Sequence, residues 1–135
     1  HIEALEDGRF NIILQGLARF RVVRELQVAT AFRQIEADVE PVGQEDEILS
    51  AVERAALEQE SRRFAEALGY VVDWTAVSRL DDMALVNGIA QIVPFDPAAK
   101  QTLLEADTLS ERTDRIIQLM QIVGRVERDG GATMQ

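Results

Sequence analysis

Residues 85–104 read LVNGIAQIVPFDPAAKQTLL, and two helices meet inside this stretch at a turn with explicit chemistry. Leu85, Ile89, Ile92 and Val93 recur at helical spacing and form one apolar stripe. Pro94 cannot extend that helix and drives Val93 out of the α region. Asp96 offers a side-chain oxygen to the free amides of a second helix. Pro97 takes that helix's first position, where a missing N–H costs nothing. Leu103 and Leu104 are its apolar positions, and Phe95 is placed to plug the corner. The Pro94-Phe95-Asp96-Pro97 corner therefore sets the angle between two amphipathic helices, and the C-terminal half should pack around it.

On the C-terminal side, Thr108 followed by Glu111 is a capping-box pattern. The helix it starts carries Leu109, Ile116, Met120 and Val123. Asp129–Gln135, with Gly130-Gly131, reads as a frayed tail, disordered over 130–135. On the N-terminal side, Asp81 or Asp82 starts the Leu85 helix, and Asp73 caps a brief helix through Arg79 bearing Trp74 and Val77. Tyr70–Val72 is a short apolar connector. Gln44–Leu68 is a long helical pattern of about 35 Å, with Glu45, Asp46 and Glu47 in its first turn, where the helix dipole favours acids. Leu49, Val52, Ala56, Phe64 and Leu68 trace its buried side, and Gly69 stands just past its end. Pro41 and Gly43 mark the junction with what precedes.

Residues 1–42 read as strands. Asp7-Gly8 signals a tight hairpin between Ile2–Leu5 and Arg9–Gln15. Gly16 interrupts the alternation as a bulge or sharp corner. Leu17–Leu26 sends Ala18, Phe20 and Val22 to one side and Arg19 and Arg21 to the other. Phe32–Val42 places Ile35, Ala37 and Val39 opposite Glu36, Asp38 and Glu40. Pairing these two strands would set arginines against carboxylates on the solvent side, each pair adding roughly 0.2–1 kcal/mol.

Two sets of residues carry a family resemblance. Leu85-Val86-Asn87 with Ala90-Gln91, then Pro94-Phe95, then Lys100-Gln101 with Leu103-Leu104-Glu105, followed by Arg112 and Ile116–Met120, resembles the helical half of the N-terminal domain of Lon proteases. That domain recruits substrates and also occurs as a free-standing protein. Asp7-Gly8, then Gln15-Gly16-Leu17-Ala18-Arg19-Phe20-Arg21-Val22, then Val39-Glu40-Pro41-Val42, resembles the later strands of the same domain's β-subdomain. The family pattern has further strands and a helix before the position of His1. The resemblance thus implies an incomplete β-subdomain with an open sheet edge, and self-association through that edge.

A length of 135 residues suits one domain with one core. The fold expected is α+β: a small antiparallel sheet, a partial barrel over residues 1–42, then four to five helices over 43–129. Cysteine is absent, which excludes disulfides and thiol nucleophiles and suits a reducing cytoplasm. No stretch is apolar enough to span a bilayer, and no signal-peptide pattern opens the chain. The net charge of −10 argues against nucleic-acid binding. Residues 1–42 hold seven acids against five arginines (−2), and residues 43–135 hold seventeen acids against nine bases (−8), which keeps the surface acidic and soluble.

No reactive constellation stands out. The one histidine is terminal, and Lys100 is the only lysine. The resemblance puts the Lon protease's Ser–Lys dyad in another domain, and an exposed helix lysine accounts for Lys100. There is no P-loop, so ATP has no binding site of that kind. Glu45-Asp46-Glu47 and Asp81-Asp82 lack calcium-loop spacing and read as helix-start acids, so no metal or other cofactor is expected. Phe64, Tyr70 and Trp74 cluster at the end of the long helix. They either line an apolar surface that grips exposed segments of other chains or fill the gap to the Leu85 helix. Two functions compete. One is a non-catalytic module that recruits unfolded or tagged polypeptides or mediates assembly, as the resemblance implies. The other is a small hydrolytic enzyme with a carboxylate-based site between sheet and helices. A pocket of convergent, desolvated carboxylates would favour the enzyme, and a shallow apolar groove the binder.

Overall fold

The computed structural model describes residues 1–40 and 47–131. The expected junction at Pro41 and Gly43, the Gln44–Asp46 helix start and the last four residues lie outside the described residues. The chain divides into two compact units, His1–Gly43 and Gln44–Gln135.

The first unit holds four strands in two antiparallel pairs and no closed barrel: β1 (Ile2–Ala4) with β2 (Phe10–Ile12), and β3 (Phe20–Glu25) with β4 (Ile35–Val39). The Asp7-Gly8 hairpin forms with a three-residue loop rather than a two-residue turn. The Gly8 amide donates to the Leu5 carbonyl, the Leu5 amide donates to the Arg9 carbonyl, and Gly8 takes φ 81°. A left-handed residue closing a three-residue loop is the geometry in which glycine costs least. In the second pair Phe20 faces Val39, Arg21 faces Asp38 and Val22 faces Ala37, and the register then slips at Val23 so that Arg24 faces Glu36. The bulge thus falls inside β3. Gly16, where the sequence puts it, lies in an irregular stretch before the strand. The expected arginine–carboxylate facing is present, with Arg24–Glu36 at 2.5 Å, Arg21–Glu40 at 3.2 Å and Arg33–Glu25 at 2.7 Å.

The second unit is helical: α1 (Ala51–Leu68), α2 (Trp74–Val77), α3 (Asp82–Ile92), α4 (Pro97–Leu104) and α5 (Leu109–Gly131). The long helix starts later than its acids suggest. Ser50 caps it in a full capping box, its hydroxyl accepting from the Glu53 amide while the Glu53 carboxylate accepts from the Ser50 amide. Its 18 residues span about 27 Å. Gly69 ends it in the left-handed conformation, φ 70°. The buried stripe is Leu57, Glu60, Ser61, Phe64 and Ala65, with Leu68 half-buried, and Val52 and Ala56 face solvent. The buried Leu57 thus stands one residue, or about 100°, round the helix from the expected Ala56.

Asp73, Asp81 and Asp96 each cap a helix with side-chain oxygens, and Pro97 opens α4. Phe95 is buried in the corner, its ring 6.5 Å from that of Phe64. Lys100 is half-buried, and its Nζ donates to the Gln91 carbonyl at 2.9 Å, fastening α4 to the end of α3. Of the stripe residues named from sequence, Leu85 and Leu103 are buried and Ile92 and Leu104 are exposed, while Val86, outside that stripe, is fully buried. The Thr108 hydroxyl accepts from the Glu111 amide, but the Glu111 carboxylate takes the Asp107 amide, one residue outside the reciprocal box. α5 continues through Gly130-Gly131, past the expected fraying at Asp129. The core joins Leu57 and Phe64 of α1 to Leu85 and Val86 of α3, Leu103 of α4, and Leu109, Ile116 and Met120 of α5.

Candidate functional site

One face of the helical unit opens a groove of about 590 Å³. α1 supplies its floor through Ser61, Phe64 and Ala65, with Leu85 of α3 and Met120 of α5 beside them. These floor residues are all buried. Gly69 makes the groove possible, because its left-handed turn sends the chain out of α1 into Tyr70-Val71-Val72, which forms one wall. Asp73 then captures the Thr75 and Ala76 amides and fixes α2, whose Trp74 and Val77 continue that wall. The opposite wall is Gly88, Ile89 and Ile92 of α3, closed by Val93 and Pro94 at the corner. The rim is apolar yet open to water: Tyr70 is 51% exposed, Ile92 83% and Val71 fully.

Phe64, Tyr70 and Trp74 all line this groove, at different depths. Phe64 is part of the core and packs on Phe95, whereas Tyr70 stands at the rim and Trp74 is half-buried. The sequence reading gave Val72, Leu80, Gly88 and Met120 no part in a binding surface. Met120 comes from a helix far along the chain, and only the α1–α5 packing brings it here. Gly88 is a gap in the wall, since a Cβ added there meets nothing within 4 Å. Over the Trp74 ring, the guanidinium carbon of Arg62 lies 4.5 Å from the ring centroid. The Ser61 hydroxyl, in the floor, donates to the Met120 sulfur at 3.9 Å, a weak bond.

The ionisable groups with shifted acidity lie outside the groove lining. Arg54 of α1 donates to the Asp82 carboxylate at 2.5 Å and to the Leu80 carbonyl at 2.9 Å. That guanidinium holds Asp82 below the usual carboxylate range, against the upward push of burial, and the Leu49 amide adds to it. The pair pins the segment between α2 and α3 onto α1, and with it the Val77–Leu80 part of the groove wall. Glu53 is lowered by the hydroxyls of Ser110 and Ser50, and Glu111 by the Asp107 amide. Each of these carboxylates is a clamp or a cap. Among the described residues, no group of three or more His, Asp or Glu side chains is arranged to hold a metal ion, and no helix is long and apolar enough to cross a membrane.

The chain is α+β, and its helical unit opens an apolar groove. The family model for the ATP-dependent protease La (LON) substrate-binding domain matches residues 1–121, and the chain belongs to that family. It is therefore a substrate-binding module by family. No curated protein matches the chain at a significant level.

Proposed function

We propose that the helical unit is a non-catalytic module that recruits unfolded or tagged polypeptides by seating an apolar side chain or two in the groove. The observation that carries this reading is an apolar groove with an exposed apolar rim, in a unit that is otherwise acidic on its surface. Folded partners hide such side chains, so a groove of this kind selects chains that have lost their fold. The competing reading, hydrolysis at paired carboxylates, needs a general acid with raised pKa. Glu53, Asp82 and Glu111 are all shifted the other way. Without cysteine, the chain suits this role in a reducing cytoplasm.

Gly88 gives a test that leaves the core alone. Gly88→Leu projects a side chain into the groove and improves helix propensity. Binding of dye-labelled, unfolded casein, followed by anisotropy, should weaken about tenfold or more, with an unfolding temperature equal to or above that of the parent. Equal affinity in the two proteins would overturn the assignment.

We further propose that the β unit self-associates by strand addition. Every strand described has one neighbour and one unpaired edge, and Ile13, Leu14 and Leu17 are exposed beside them. Light scattering that reports a monomer across a wide concentration range would dispose of this.

A further inference from the structure

Arg62 stands apart from the other cations of its helix. Arg54 is paired with Asp82 and Glu58, and Arg63 lies 3.4 Å from Glu60. Arg62 has no carboxylate partner among the described residues, and its guanidinium rests over the ring of Trp74, a residue that lines the groove. Asp73, next to Trp74 in sequence, directs its carboxylate to the Thr75 and Ala76 amides. A cation held over an aromatic face keeps its full charge and its N–H donors. In a chain of net charge −10, a guanidinium without a carboxylate partner, stacked on a residue that lines the apolar groove, is a local reversal of sign.

We propose that the groove prefers apolar polypeptide segments with a carboxylate one or two residues from the anchoring side chain, that carboxylate being met by Arg62. The inference rests on the groove being the docking site. It adds the charge of the occupant: an extended segment carrying a bulky aliphatic or aromatic anchor beside Glu or Asp. Successive residues of an extended chain rise about 3.3 Å each, so an acid at that distance from a seated anchor stays within reach of a guanidinium stacked on Trp74.

Trp74 is the only tryptophan, which makes its fluorescence a reporter of the groove. Three tryptophan-free peptides are compared, identical except for Glu, Gln or Lys beside a Phe-Leu anchor. The Glu peptide should bind about two- to fivefold more tightly than the Gln peptide at low salt, the size expected of an exposed ion pair, and the Lys peptide should bind most weakly. Added salt should shrink the preference. In Arg62→Gln the Glu and Gln peptides should bind equally. Equal binding of Glu and Gln peptides to the parent, or a preference that survives in Arg62→Gln, overturns the inference and leaves the docking site standing. If no peptide alters Trp74 fluorescence, and labelled casein binds Gly88→Leu as well as the parent, both readings fall together.

Discussion

No strand residue in β1 to β4 is buried and only Ala37 is half-buried, whereas α1, α3, α4 and α5 close over Leu57, Val86, Leu103 and Ile116 almost completely. The two units share a chain and are held by different forces. The helical unit gains from apolar area removed from water, at about 25 cal/mol per Å². The β unit is drawn together by backbone ladders and by exposed ion pairs such as Arg24–Glu36, and a two-stranded hairpin in water is marginal on those alone. Phe10, Phe20, Leu14 and Leu17 remain on its surface. Alternation fixes which strand residues share a face, but a face becomes a core only when something lies on it.

The sharpest way to break this contrast is to truncate one large side chain in each unit. Leu57→Ala opens a cavity at a position with no exposure and should cost about 2–5 kcal/mol in urea unfolding followed by helical circular dichroism. Phe20→Ala removes more atoms, yet its ring is more than half exposed and the same measurement should move by less than about 0.5 kcal/mol. A comparable loss from both would mean that the β unit's apolar side chains are buried after all.

Where residues interact with near neighbours, the sequence disclosed the structure. Asp73, Asp81, Asp96 and Pro97 start helices, Gly69 ends one, Phe95 fills the corner, and Phe64, Tyr70 and Trp74 come to one groove. What it hid are bonds between distant segments. Glu47 reads as a first-turn acid of the long helix, but its carboxylate accepts from the Leu109 amide, 62 residues on, at the start of α5. Its position in a run of acids masked Ser50 as the true cap. Asp82 likewise reads as a helix-start acid, while its carboxylate takes the Arg54 guanidinium and the Leu49 amide. A charge that serves a neighbour 33 residues away looks, in sequence, like any other helix-start acid.

Asp82 also gives the helical unit a pH signature. Its folded pKa lies below the unfolded value of 3.8, because Arg54 and the Leu49 amide favour the charged form. The stabilisation is therefore complete above about pH 4 and is lost as pH falls through the folded value. Asp82→Asn should cost about 1–3 kcal/mol at neutral pH, since it leaves the half-buried Arg54 without its main counter-charge. The variant should also lose less stability than the parent between pH 4 and pH 2. A parallel decline in both proteins would show that the pair contributes nothing. The pinned Val77–Leu80 wall adds a second readout, because loosening it should weaken casein binding even where the fold persists.

The smallest effect belongs to the β unit. Arg24 and Glu36 face each other across β3 and β4 at 2.5 Å, directly after the register slips at Val23. Both side chains are at least half exposed. Solvent screens such a pair, so Arg24→Gln should cost only about 0.2–1 kcal/mol locally, and salt should erase the difference. Urea unfolding of the helices should not register it. Amide hydrogen exchange should, as faster exchange confined to β3 and β4, with protection in α1 and α5 unchanged. Exchange that quickened in α1 as well would mean that stability passes from one unit to the other, and the two could no longer be treated as separately held.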